Sequence, residues 1–181
     1  MAGLPYDGEP VVWHVCSAGA IGTSHVKIGQ GGQDRFRIET LSQSVILAAL
    51  ADGAGSAPSG AVGAQSAVDT VFSFVKTQLT EDDSEYHEIL RGAAFAAREA
   101  IQLLALTLGE PLRNFATTLL VCLMTPRGGA ALQVGDGVIV VSDGPGEWNW
   151  LFWPQKGEYA NTTRFLTDPD ALAELMCDQI P

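Results

Sequence analysis

Three aspartates set beside glycines are the residues of this sequence whose types and spacing could do chemistry. Asp52 closes the apolar run SVILAALAD and opens the loop Asp52-Gly53-Ala54-Gly55-Ser56. A strand fixes the direction of a carboxylate at its end, and a following glycine frees the backbone so that its own carbonyl can face the same ligand. Carboxylate plus carbonyl is the donor set of a hard divalent cation such as Mg²⁺ or Mn²⁺. Asp136 lies in QVGDGVIVV between two β-rich runs, and Asp34 ends GQGGQD just before an alternating segment. Asp-Gly is also the commonest turn dipeptide. Each aspartate alone can therefore also be read as a turn, Asp136 and Asp34 more readily than Asp52, and the three form a site only where the strands bring their ends together.

Other chemistries that use a strand, a glycine loop and a helix fail on spacing. A dinucleotide fingerprint counted from Gly53 places its third glycine at Pro58, and a Walker loop needs Lys where Gly60 is followed by Ala61. No Gly-x-Ser-x-Gly elbow surrounds Ser56 or Ser59. Cys16, Cys122 and Cys177 are odd in number, widely spaced and without a CxxC pair, which suits thiols of a reducing compartment.

The elements that must position the aspartates follow from periodicity. Val11 to Ala18 (VVWHVCSA) is β-rich and reads as a strand. Gly19, Gly22, Gly29, Gly31 and Gly32 argue against a regular element in the connection that follows. Arg35 to Glu39 alternates as an exposed strand, and the apolar run ending at Asp52 reads as a buried one. Ser59 can cap a helix starting near Gly60, with Ala64, Ala67, Val68, Val71, Val75 and Leu79 on one stripe. The acidic cluster TEDDSE suits the start of a second helix, whose face carries Leu90, Ala93, Ala97, Ile101, Leu104 and Leu108 and which stops at Gly109 and Pro111. From Phe115 the period is that of strands joined by tight turns: ATTLLVCLMT, PRGG, AALQV, GDG, VIVVS, DGPG and EWNWLFW. Strands, two antiparallel helices and then a meander make an α+β fold with antiparallel sheet.

The chain has 181 residues, which is one domain spanning 1–181. A formal net charge of −11 opposes phosphate backbones and anionic lipid, so nucleic acid and membrane surfaces are excluded as partners. The first residues, MAGLPYDGEP, lack the basic and apolar regions of a signal peptide, and no apolar run reaches the ~18 residues of a bilayer span. The expected location is cytoplasmic.

Several segments, taken in order, resemble the metal-dependent protein phosphatases of the 2C type, in particular their bacterial branch. Gln33-Asp34 is similar to the end of the family's first acidic motif, and Ala51-Asp52-Gly53-Ala54-Gly55-Ser56 to its Asp-Gly metal motif. Phe115-Ala116-Thr117-Thr118 resembles its Gly-Thr-Thr segment, Val134-Gly135-Asp136-Gly137 its Gly-Asp-Ser segment, and GEYANTTRFLT a bacterial-branch signature. The resemblance implies a β-sandwich flanked by helices with a two-metal centre, Mn²⁺ or Mg²⁺, at the sandwich edge. It assigns Asp52 as the bridge between both ions and the Gly53 carbonyl to the second. Asp34 would stand in the first or second layer of ligands, and Asp136 near an additional, weaker metal position. Two cations about 3.5–4 Å apart activate a water for in-line attack on a phosphoryl group, with no protein nucleophile.

Departures from the pattern carry weight as well. Gly29 stands where the family's first motif has a phosphate-gripping Arg, which leaves His25 and Lys27 as nearby cations, with Thr117 a further candidate for phosphate or substrate contact. Gln33 stands where many members have Glu. The family places two more metal-binding aspartates after a segment like LTDPDALAEL, and this sequence ends at Pro181 before either. Asp143 does not replace them, because seven residues of strand separate it from Asp136 by about 23 Å at ~3.3 Å per residue. The implied activity is hydrolysis of phosphoserine and phosphothreonine in a phosphorylated protein. With only half of the ligand set, the metal positions could stand unfilled, and the alternative is a non-catalytic phosphatase-like module that binds phosphoprotein or a regulator. A domain short of its C-terminal part would also expose a sheet edge, inviting self-association.

Overall fold

The computed structural model describes residues 12–27, 29, 31–42, 44–80, 85–144, 146–155 and 163–180, without the side chains of Ser24, His25 and Asp143. Much of GEYANTTRFLT, the middle of TEDDSE, and the N-terminal and C-terminal residues therefore lie outside the described residues.

Apolar alternation builds one antiparallel sheet. Strands β1 (Arg35–Ser42) and β2 (Val45–Ala51) form a hairpin, and β2 pairs with a strand more than sixty residues later. That partner, Leu119–Thr125, turns at once into Gly128–Val134, which pairs in turn with Met176–Ile180. With the last three called β3, β4 and β7, the sheet order is β1-β2-β3-β4-β7. Leu47, Ala49 and Ala51 of β2, Leu119, Val121 and Leu123 of β3, and Leu132 and Val134 of β4 bury one face.

Two helices cover that face, α2 (Gly60–Gln78) and α3 (Tyr86–Leu108). The stripes expected of both are buried at Ala64, Ala67, Val68, Val71 and Val75, and at Leu90, Ala93, Ala97 and Ile101. Small residues along the seam let the helices approach closely. Gly63 of α2 lies so near a short 3-10 turn, Leu112–Phe115, that a Cβ there would stand 2.1 Å from the Phe115 carbonyl oxygen. Gly109 ends α3 in the left-handed region at φ 67°, as its place in the sequence predicts.

Several expectations are corrected. Residues 12–18 form no strand; Trp13 Nε1 donates to Ser44 O, and Cys16 to Ala18 lie along the sheet without joining its ladder. Among the described residues of the glycine-rich connection, α1 (Thr23–Lys27) is a regular piece set between its glycines. Ser59 precedes α2 without a side-chain capping bond, because its hydroxyl is directed to Glu110 Oε2 at 3.3 Å. Leu108 is 55% exposed, and Ala105 instead carries the buried stripe into the last turn of α3. Strand β7 was not expected from MCDQI, whose residues only half-bury.

The meander divides. Its third and fourth strands, β5 (Val140–Gly144) and β6 (Glu147–Trp150), leave the main sheet as a separate hairpin on which Trp148 and Trp150 are exposed. The second face of the main sheet carries an apolar groove of about 320 Å³, lined by Cys16, Phe36, Ala48, Leu50, Leu120 and Cys122. Burial on that face pushes the Cys122 thiol up to about 11.

The closest backbone approach yields the first prediction. Gly63→Ala should lower the stability of the chain by about 1–3 kcal/mol through overpacking against the 3-10 turn, measured by urea unfolding. An unchanged midpoint would show that this contact does not seat α2.

Candidate metal centre

Strand register brings the candidate aspartates together. Arg35 pairs with Ala51, so one residue further along the hairpin Asp34 faces Asp52. Leu50 pairs with Leu120, which sets Asp52 across from Thr118, and Leu119 pairs with Val134, which sets Thr118 across from Gly135. Asp34, Asp52, Thr118 and Gly135 thus form one row across four strands. Side chains in a cross-strand row share a face of the sheet. Here that face is the one away from the helices, continuous with the groove through Phe36, Leu50 and Ala18.

The ladder between β2 and β3 continues past both strands in altered form. Thr118 N–H donates to Asp52 O at 2.9 Å, but Asp52 N–H donates to the Thr118 hydroxyl oxygen, also at 2.9 Å. Thr117 Oγ1 adds a bond to Asp52 O at 3.0 Å, and Ala54 N donates to Ala116 O. Gly53 then pairs with Thr117 without exchanging bonds, so its own N–H and C=O turn away from that neighbour. A Cβ on Gly53 would lie 2.5 Å from the carbonyl carbon of Gly60, which is why glycine follows Asp52: the loop folds back onto the first turn of α2.

Asp136 reaches the same place from β4. Gly135, at φ 111°, turns the chain and is held on both sides by Gln155, whose Oε1 accepts from Gly135 N at 2.8 Å and whose N–H donates to Gly135 O. Gln133 Nε2 donates to the same carbonyl. The Asp136 carboxylate accepts from Thr163 Oγ1 at 3.0 Å.

One cleft of about 350 Å³ results, lined by Asp34, Asp52, Asp136, Thr118, Phe36 and Leu50 among others. All three carboxylates are exposed to it. Among the described residues no three His, Cys, Asp or Glu side chains come close enough to hold a metal ion by themselves. The donors are oxygens of the kind Mn²⁺ and Mg²⁺ prefer, and these three supply only part of a coordination shell.

The remaining candidates are placed elsewhere. Thr117 is fully buried, its hydroxyl is committed to Asp52 O and Thr118 O, and it is not among the residues lining the cleft. Lys27 is exposed at the end of α1 and is not among the residues lining the cleft. His25 has a described backbone in α1, and its side chain lies outside the description. The sequence reading missed Thr118 as a cleft residue, although extending the register from the Asp-Gly strand would have found it. Thr163 carried no signal, because only the fold sets it beside Asp136.

Residues 21–181 match the family model described as Protein phosphatase 2C. The chain belongs to the protein phosphatase 2C family. It is 31% identical over 175 residues to Serine/threonine-protein phosphatase 3 of Escherichia coli (strain K12), an alignment covering 90% of this chain and 66% of that protein. In fold it is similar to the serine/threonine phosphatase Stp1 from Staphylococcus aureus, with a TM-score of 0.63 at 16% identity, over 83% of this chain and 66% of that one. The catalytic domain of the phosphatase PstP, solved in complex with 2 manganese ions, matches with a TM-score of 0.57 at 18% identity, over 83% and 67% of the two chains. The chain thus spans about two thirds of the length of these phosphatase 2C relatives, and the α+β architecture expected of it is theirs.

Thr117→Val should lower the unfolding free energy by about 1 kcal/mol, the worth of one neutral hydrogen bond, and leave binding of inorganic phosphate unchanged. Weaker phosphate binding at wild-type stability would return Thr117 to the substrate side.

Proposed function

We propose that this phosphatase 2C chain is a Mn²⁺- or Mg²⁺-dependent phosphoprotein phosphatase, acting on phosphoserine and phosphothreonine through a metal-activated water. The observation that carries this reading is the cross-strand row: Asp34 faces Asp52, and Asp136 enters the same cleft from β4. Asp52 is the residue suited to bridge two ions. It sits between the other two acids, and its backbone is pinned on both N–H and C=O. Asp34 would complete or orient that pair from the neighbouring strand. Asp136, held by Thr163, would serve a further cation position at the rim. The Gly53 carbonyl turns away from Thr117 and is the backbone donor nearest in sequence. When bound, the ions would supply a hydroxide nucleophile near neutral pH and charge neutralisation for the phosphoryl group.

The protein's own part is to hold these oxygens on rigid strand ends and to keep cations concentrated near the site. A net charge of −11 favours the second, and the absence of a Ser or Cys nucleophile motif is consistent with attack by water.

A second reading has its own support. The described residues gather no three-ligand metal cluster, which favours a phosphatase-like module that binds phosphoprotein without turnover.

Hydrolysis of a simple aryl phosphate by this chain, measured with and without Mn²⁺, separates the two. The enzyme reading expects Mn²⁺-dependent turnover that falls at least about 100-fold in Asp52→Ala, as loss of a bridging ligand requires. Turnover that survives chelation, or is unchanged in Asp52→Ala, overturns it. Saturable phosphopeptide binding with no turnover in the presence of Mn²⁺ establishes the module instead.

A further inference from the structure

Thr118 stands at the junction of the two halves of the cleft. It is 3% exposed, yet it lines the cleft beside Asp52 and Asp136. Its two γ substituents face different neighbours. The hydroxyl oxygen accepts the Asp52 N–H at 2.9 Å, taking the place of a backbone carbonyl in that rung of the ladder. The methyl lies under Gly135, where a Cβ would come within 2.6 Å of Thr118 Cγ2. Gly135 in turn is the residue from which Asp136 projects, and it is fixed from its other side by Gln155 and Gln133. Nothing else in the row touches both acidic segments, since β3 alone lies between β2 and β4.

We propose that Thr118 is a positioning residue that sets the separation of Asp52 from Asp136, its hydroxyl seating the first and its methyl the second. This rests on the reading of the cleft as a metal centre. No other residue type carries out both tasks. Serine keeps the acceptor and loses the spacer, and valine, of nearly the same shape, keeps the spacer and loses the acceptor. Removing the hydroxyl that accepts the Asp52 N–H at a partly buried strand end loosens the backbone that aims its carboxylate. Removing the methyl opens a gap under Gly135 and slackens the loop of Asp136 while leaving Asp52 seated.

The test compares wild type, Thr118→Val, Thr118→Ser and Asp52→Ala by Mn²⁺ titration, following free Mn²⁺ by electron paramagnetic resonance, and by hydrogen exchange of the Asp52 amide. Thr118→Val should lose protection at the Asp52 amide and weaken the tightest Mn²⁺ site about tenfold or more, the usual scale for outer-layer partners of metal ligands. Thr118→Ser should keep both and weaken only the lower-affinity Mn²⁺ binding. If the two variants instead lose affinity together, in step with their losses of stability, Thr118 is structural and the proposal fails. It also fails if Thr118→Val keeps both protection and affinity while Asp52→Ala loses Mn²⁺. Wild-type binding in Asp52→Ala is a different result: it removes the metal reading itself, and the proposal with it. Should Thr118→Val not fold, the Thr118→Ser split between tight and weak binding decides alone, because a lost tight site there overturns the assignment of the hydroxyl.

Discussion

The hydrogen bonds between Asp52 and the Thr117-Thr118 pair are the constraint on which the site depends. They join the end of β2 to the start of β3, segments 65 and 66 residues apart in the chain for the side-chain bonds. Both helices lie in that interval. Closing so long a loop is entropically unfavourable, and the offset comes from burying the helices on the very strands being joined. The packing of α2 and α3 and the geometry of the cleft are therefore one problem. Gly53 and Gly63 make this concrete: one lets the loop after Asp52 fold onto α2, and the other lets α2 settle on the turn that leads into Thr117.

The division of labour between the two faces of the sheet follows. The face under the helices is largely apolar, with Leu47, Ala49, Leu119, Val121, Leu123 and Leu132 all buried, and its charged pair Arg37 and Glu39 sits out on β1, where it meets Phe72 and Lys76 of α2. On the opposite face, apolar residues are confined to the middle of the strands, and the acids appear in the first row beyond them. Phe36, Leu50 and Leu120 stand one step inward from Asp34, Asp52 and Thr118. A carboxylate row ending an apolar face gives weak solvation on one side and open water on the other. Such a border holds charged oxygens in place without fully desolvating them.

Much of this was legible in the sequence where local pattern and tertiary demand agree. Apolar stripes at helical spacing gave α2 and α3, Gly109 gave the end of α3, and the run to Asp52 gave β2. The ordered motifs carried the family and, with it, Asp34, Asp52 and Asp136 as residues of one cleft. What failed was context-dependent. Residues 12–18 have strand composition but join no ladder, and a strand exists only as part of one. Strand β7 is half-polar because it lies at a sheet edge, so alternation was too weak to reveal it. Thr117, a candidate for substrate contact by its motif, is buried by register, with its hydroxyl on Asp52 O and Thr118 O. Thr118 was passed over although the same register would have placed it, since no single residue type announces a spacer.

The uncovered face has a consequence for how the molecule behaves among its own kind. Phe36 and Leu50 on that face, and Val140, Trp148, Trp150 and Trp153 on and just after the separate hairpin, present substantial apolar surface to water, in a chain of net charge −11. Mutual repulsion then holds neighbouring molecules apart while the aromatic surface draws them together. The balance is set by ionic strength, because the screening length shrinks from about 10 Å at 0.1 M salt to about 3 Å at 1 M, while apolar attraction persists or strengthens. Added electrolyte thus weakens the repulsion between copies of this chain before it weakens the apolar attraction.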